Sequence, residues 1–249
     1  MTQISKTKYL VSAGWDDAPH LDEETKADML AATPPHLRDA RSKGIPSLGS
    51  GAIYPIPETE IKCDPFQIPL YWPCAYALDV GWNKTAAVWG AWDRDSDIIY
   101  IWSEHYRGQA EPAIHAQAIN SRGDWMTGVI DPASRGRSQK DGTALWDMYR
   151  DLGLDLQFAE NRVEAGIYEV WQRLSTGRLK IFSNLQSTFA EFRLYRRDEK
   201  GKIVKENDHL MDALRYLIMS FGHISRAFPV DGSEQYKDYH SGRDTTTGY

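Results

Sequence analysis

Cysteine and long apolar runs are both scarce in this 249-residue chain. The two cysteines, Cys63 and Cys74, are too few for a disulfide framework and wrongly spaced for a zinc site. A reduced compartment is expected. No apolar run approaches the ~18–20 residues that a membrane span requires, and the polar start Met1-Thr2-Gln3-Ile4-Ser5-Lys6 does not read as a secretory signal. Secretion and membrane insertion are therefore not expected. A basic excess is missing as well: 29 Lys and Arg stand against 35 Asp and Glu, for a net charge of −6. That sum argues mildly against a nucleic-acid binder, although a whole-chain total can hide a local basic surface. Internal repeats and low-complexity tracts are absent too. Aromatic residues, by contrast, are plentiful, and nine Trp with thirteen Tyr supply large core material.

The chain divides into three regions by pattern. Residues 1–70 carry most of the prolines. Two short helices are expected there, Leu21–Ala32 and Pro34–Ser42, followed by a Gly/Pro-rich connector from Gly44 to Pro57. This region reads as an arm or linker. Residues 71–225 read as the principal domain, and residues 226–249 as a polar, turn-rich tail.

Within the principal domain, Tyr76–Val80, Thr85–Trp92 and Asp97–His105 are apolar, β-prone runs separated by short turns. Together they predict an antiparallel meander. Next come a helix (Glu111–Ser121), a strand ending at Ile130, a helix (Gly142–Leu152), a strand (Leu156–Ala159) and a helix (Glu164–Thr176). An extended piece (Leu179–Phe182), a helix (Thr188–Tyr195), a small hairpin (Leu194–Glu206) and a closing helix (Asp208–Phe221) complete the series. Three antiparallel strands, then strand–helix alternation, then a last helix is the element order of a ribonuclease-H-like α/β fold with a mixed sheet. In that topology the first and fourth strands lie side by side, and residues at their carboxyl ends converge.

Acidic residues occur at those convergence points. Asp79 ends the apolar run Ala75-Tyr76-Ala77-Leu78, where an ionised carboxylate is expensive unless it is paired or binds a metal. Asp131 follows Val129-Ile130 where Pro132 breaks the strand. On the closing helix Asp208, His209 and Asp212 fall at spacings that share a face. Each has an ordinary reading: Asp131 as a turn residue, Asp208 as a helix cap, His209 as a solvated or structural histidine. Their joint placement favours chemistry. In-line attack on a phosphodiester builds charge on two oxygens, which two divalent cations ~3.5–4 Å apart can stabilise. Such hard cations take oxygen ligands.

The segments D-V-G-W, I-D-P-A and D-H-L-M-D-A-L-R-Y resemble the C-terminal nuclease domain of tailed-phage terminase large subunits, the DNA-packaging motor proteins. So do G-I-Y-E-V-W-Q-R-L, G-R-L-K-I-F and Y-R-R-D-E-K-G-K-I-V-K, with W-D-D-A-P-H-L and G-S-G-A-I-Y-P upstream. The resemblance spans roughly residues 9–222. It implies Mg²⁺- or Mn²⁺-dependent cleavage of concatemeric double-stranded viral DNA, with two metal ions held by Asp79, Asp131 and Asp212. Asp208 or His209 is a further candidate ligand, and the sequence does not choose between them. The implied setting is the host cytoplasm, outside the mature virion. Portal protein and a small terminase subunit are the implied partners. The family's ATPase carries the phosphate loop G-x-x-x-x-G-K-[ST]. Here the only Gly-Lys pair, Gly201-Lys202, is followed by Ile203. ATP hydrolysis is thus expected from elsewhere, whether the chain is a fragment or its motor half is a separate chain.

DNA contacts are expected at two basic stretches. Arg135, Arg137 and Lys140 follow Asp131 directly, and Arg196, Arg197, Lys202 and Lys205 belong to the expected hairpin. Phosphate contacts through such groups are largely independent of base sequence. The tryptophans Trp89, Trp92, Trp102 and Trp171 are expected in the core. Two other readings remain open: another ribonuclease-H-like nuclease, such as a junction resolvase or transposase, and a non-catalytic DNA- or portal-docking module.

Overall fold

In the computed structural model, which describes residues 2–5, 8–10, 14–32, 42–43, 51–136, 144–198 and 200–229, the chain begins with a short antiparallel pair. This pair is β1 (Thr2–Ser5) and β2 (Lys8–Leu10), and helix α1 (Glu23–Ala32) follows. The expected helix over Pro34–Ser42 lies outside the described residues except for Ser42. Two compact units form, residues 1–61 with 189–208, and residues 62–188 with 209–249.

In the smaller unit the short helix α2 (Glu58–Ile61) holds Glu58 in an ion pair with Arg193. Tyr54 stacks on Phe192 with ring centroids 5.8 Å apart. The expected hairpin is reduced to a single bridge, Arg197 with Ile203, closed by Asp198 N–H donating to Lys202 O at 2.7 Å.

The larger unit is built on seven strands. These are β3 (Lys62–Cys63), β4 (Cys74–Asp79), β5 (Thr85–Asp93), β6 (Ile98–Arg107), β7 (Gly128–Ile130), β8 (Leu156–Phe158) and β9 (Leu179–Phe182). Their order is β3-β9-β6-β5-β4-β7-β8. The β4–β5–β6 meander is antiparallel, while β7 joins β4 and β8 joins β7 in parallel. The expected neighbours, first and fourth strands, are thus adjacent. Strand β9 crosses to the far side and runs parallel to β6.

The helices are α3 (Pro112–Asn120), α4 (Leu145–Asp151), α5 (Val163–Ser175), α6 (Gln186–Leu194) and α7 (His209–Ile224). Among the described residues no helix is long and apolar enough to cross a membrane.

Strands β4 and β5 are buried along nearly their whole length, as strands covered on both faces must be. Alternation assigns the faces. Tyr76 and Leu78 of β4, with Ala87, Trp89 and Ala91 of β5, enter one core cluster with Ile119, Met126 and Tyr149. The opposite face presents Ala75, Ala77, Ala86, Val88 and Gly90, mostly small, and Trp92 at its end meets Phe221 edge-on. Helix α7 packs there against β4, β5 and β7. At Gly90 a Cβ would lie only 2.6 Å from the Phe221 ring, so glycine is what allows this close approach.

Trp171, expected in the core, is exposed instead. The buried stripe of α5 is Gly166, Ile167, Val170 and Leu174, and Trp171 falls beside it, paired with Tyr168 on the outer surface. Phe228, expected to open the tail, donates its N–H to Leu70 O at 3.1 Å and meets Trp125 edge-on.

Candidate active site

Period two in β4 puts Asp79 on the same face as Ala75 and Ala77, the face covered by α7. In the parallel register Ala77 pairs with Val129 and Leu78 with Ile130, so the next residues, Asp79 and Asp131, emerge side by side. The Asp131 N–H donates to Leu78 O at 3.3 Å, which ties the two strand ends together. Asp131 then caps a 3₁₀ turn over Pro132–Arg135, its Oδ1 accepting from the Ala133 N–H at 3.0 Å. The first turns of α7 complete the group: His209 Nδ1 lies 2.7 Å from Asp79 Oδ2, and Asp212 is one turn further along.

Charge links these residues as well. Burial pushes the Asp79 carboxyl above its ordinary range, the hydrogen bond from His209 opposes that rise, and repulsion from Asp212 and Asp131 adds to it. Tyr216, one turn beyond Asp212, is likewise pushed up by burial, then by the negative charges of Asp131, Asp212 and Asp79. One tyrosine thus feels all three carboxylates. Of the two last-helix alternatives, His209 touches Asp79, whereas Asp208 is ion-paired with Lys205 at 2.9 Å.

Arg215 was not singled out by the sequence, although it lies inside the motif that carries Asp212. It is 1% exposed, with Nη2 donating to Asp212 Oδ1 and Nη1 to Asn161 Oδ1, both at 3.1 Å. Its aliphatic stem passes over Gly166 of α5, where a Cβ would lie 2.5 Å from Arg215 Cγ. Glycine inside a helix costs about 1 kcal/mol relative to alanine, so this position trades helix stability for room. A sequence signal did exist, an arginine three residues after an aspartate on an otherwise apolar face, but Asn161 and Gly166, which complete its surroundings, lie elsewhere in the chain.

Among the described residues, no three His, Cys, Asp or Glu side chains are gathered closely enough to hold a metal ion. Asp79, Asp131 and Asp212 instead hold His209, the Ala133 N–H and Arg215. A cavity of about 430 Å³ opens at the other end of β4, lined by Cys74, Trp102, Trp125 and Phe228. It takes no part in the aspartate group.

Comparison with known proteins identifies the family. The model of the terminase RNase H-like domain family matches residues 76–221, which contain Asp79, Asp131 and Asp212. The chain belongs to that family. It is 38% identical over 240 residues to the terminase large subunit of Salmonella phage P22, covering 90% of this chain and 46% of the relative. It therefore spans about half the length of that curated relative. The structure of the P22 large terminase nuclease domain matches with a TM-score of 0.66 at 32% identity, covering 78% of this chain and 99% of that one. The phage G20c large terminase nuclease with bound magnesium shares the fold, with a TM-score of 0.52 at 14% identity, over 70% of this chain and 98% of that one.

The expected DNA-contacting residues of this terminase nuclease domain fall in different settings. Arg135 leaves the Asp131 turn and stacks over the Phe158 ring, 3.7 Å from its centroid. Arg137 and Lys140 lie outside the described residues. Arg196, Arg197, Lys202 and Lys205 belong to the smaller unit, where Arg197 donates to Gly201 O at 3.0 Å.

Proposed function

We propose that this chain is a divalent-metal-dependent endonuclease that cuts concatemeric double-stranded viral DNA during genome packaging. Asp79, Asp131 and Asp212 would hold two Mg²⁺ or Mn²⁺ ions. The observation that carries this reading is the placement of three aspartates on two adjacent strand ends and the helix packed against them. Their chemistry suits such ions: all three offer carboxylate oxygens, and Mg²⁺ keeps most of its waters, needing only one or two carboxylates rather than a closed cage. The bound magnesium of the G20c nuclease, a protein of the same fold, is consistent with this choice. When bound, the ions supply charge stabilisation for the attacking and leaving oxygens and lower the pKa of the attacking water.

The chain's own residues prepare that step. His209 orients the Asp79 carboxylate, and Arg215 fixes the Asp212 carboxylate. Arg135, Arg137 and Lys140 grip phosphates beside the scissile bond, and the Arg196–Lys205 stretch grips the backbone elsewhere. The remaining half of the P22-type large subunit, supplied on the same or another polypeptide, would provide ATP hydrolysis. Portal protein and small terminase subunit are the expected partners, and the host cytoplasm is the expected setting.

The test is incubation of the purified protein with supercoiled plasmid, with and without Mg²⁺ or Mn²⁺. Nicked and linear products are expected only with metal, and only from protein that retains Asp79. Cleavage of wild-type character by Asp79→Asn, or none by the wild type in either metal, would overturn the proposal.

A further inference from the structure

Tryptophan side chains in the larger unit differ sharply in environment. Trp89 is fully buried, whereas Trp82 is 65% exposed. Trp82 lies three residues after Asp79, in the turn from β4 to β5, so the indole sits on the carboxyl edge where the aspartates converge. An isolated surface apolar residue needs no explanation. The framework that holds this one does.

Three features secure the backbone of the turn. The Thr85 hydroxyl donates to Gly81 O at 3.1 Å. The Gln109 N–H donates to Trp82 O at 2.9 Å from a residue held in the left-handed region, φ 52°. Gly108 lies so close beneath that a Cβ there would fall 1.9 Å from Asn83 O. The backbone is therefore clamped while the large side chain projects into water.

Two cations belong to the same turn and the strand beside it. The β5–β6 register pairs Thr85 with Arg107, which puts exposed Arg107 beside the turn. Lys84, the second residue after Trp82, extends over the Tyr106 ring with Nζ 4.4 Å from its centroid. An exposed indole on a clamped turn that also carries positive charge, three residues from a carboxylate already read as part of the cutting site, complements one polymer in particular: a chain of phosphates joined by apolar sugars.

We propose that the turn 81–84 with residues 107–109 is a DNA-contacting surface. Trp82 packs its indole on the deoxyribose of a nucleotide flanking the scissile phosphate, and Lys84 and Arg107 neutralise neighbouring phosphates. This rests on the nuclease reading above and adds a contact outside the basic stretches. An apolar packing contact contributes affinity that salt does not screen, whereas each phosphate contact releases counterions.

The test is fluorescence anisotropy of a labelled linear duplex in Ca²⁺ across a salt series, with wild type, Trp82→Ala, Trp82→Phe and Lys84→Ala/Arg107→Ala. Melting temperatures are measured in parallel. Trp82→Ala should weaken binding about tenfold at every salt concentration with an unchanged log–log slope, the size expected when one large side chain loses its apolar burial. Trp82→Phe should recover most of that loss. The double cation variant should lower the slope by about 2, roughly one per phosphate contact. Unchanged affinity in Trp82→Ala, with wild type binding normally, would overturn this inference alone and turn attention to a protein partner for the indole. Absence of duplex binding by the wild type would overturn it together with the nuclease reading.

Discussion

A carboxylate whose charged form the fold disfavours is a recurrent sign of a functional site. Asp79 is such a residue, its pKa raised by burial and by two like charges. The folded state therefore binds the Asp79 proton more tightly than the unfolded chain does. Its ionisation subtracts stability as pH rises from the ordinary carboxylate range through the raised folded value, and the deficit persists at neutral pH. Asp79→Asn should accordingly raise the metal-free melting temperature at pH 7 while removing the stabilisation that Mn²⁺ gives the wild type. A lower melting temperature without metal would contradict the electrostatic account. Gly166 offers a second test. In an open helix Gly→Ala adds about 1 kcal/mol of stability, but here the new methyl would strike the stem of buried Arg215. Gly166→Ala should instead destabilise by about 1–3 kcal/mol, as overpacking does, read by urea denaturation. Loss of cleavage beyond the loss of stability would show that Arg215 positions Asp212.

Between elements, the bonds that matter join parts distant in sequence. Glu104 of β6 accepts from the Ser187 and Thr188 N–H groups at 3.0 and 2.7 Å, so a strand residue caps helix α6. His105 of β6 lies 2.8 Å from His115 of α3, ring nitrogen to ring nitrogen. Burial lowers the His105 pKa to about 4, and His115, Arg122 and Arg107 push the same way. His115 is lowered too, chiefly by burial. The unfolded chain thus binds more protons than the folded one between the ordinary histidine value of 6.5 and about 4. Stability should fall as pH drops through that window, and His105→Phe should flatten the fall. Urea midpoints taken from pH 7 to pH 4.5 measure this, and parallel curves for both proteins would refute it. At this scale the sequence was informative. Apolar, β-prone runs bounded by short turns located all three meander strands, and the 3.6-residue period located α3, α5 and α7, to within a few residues.

For the chain as a whole, the missing phosphate loop has a direct consequence. The purified protein should show no ATP hydrolysis and no thermal stabilisation by Mg²⁺-ATP beyond that given by Mg²⁺ itself, checked by phosphate release and by differential scanning fluorimetry. A sustained ATPase rate from homogeneous protein would reveal a nucleotide site outside the familiar motif. The net charge of −6 reflects the whole chain rather than its surfaces, since basic residues are concentrated after Asp131 and over residues 173–205.

By itself the sequence determined the element order, the meander and three aspartates at element ends, because apolar runs, turn residues and helix period are short-range properties written in neighbouring residues. The tertiary structure decided what those residues meet. Asp79 and Asp131 are 52 positions apart and become neighbours only through the β4–β7 register. The choice of His209 as the partner of Asp79 depended on how α7 lies over the small residues of β4 and β5. Arg215 gained its role from Gly166 and Asn161, neither of which carries a local signal, and Trp171 was exposed by the angular position of one residue on α5. Such pairings are set by packing across the sheet, and packing depends on shapes contributed by segments whose separation along the chain predicts nothing about their distance in space.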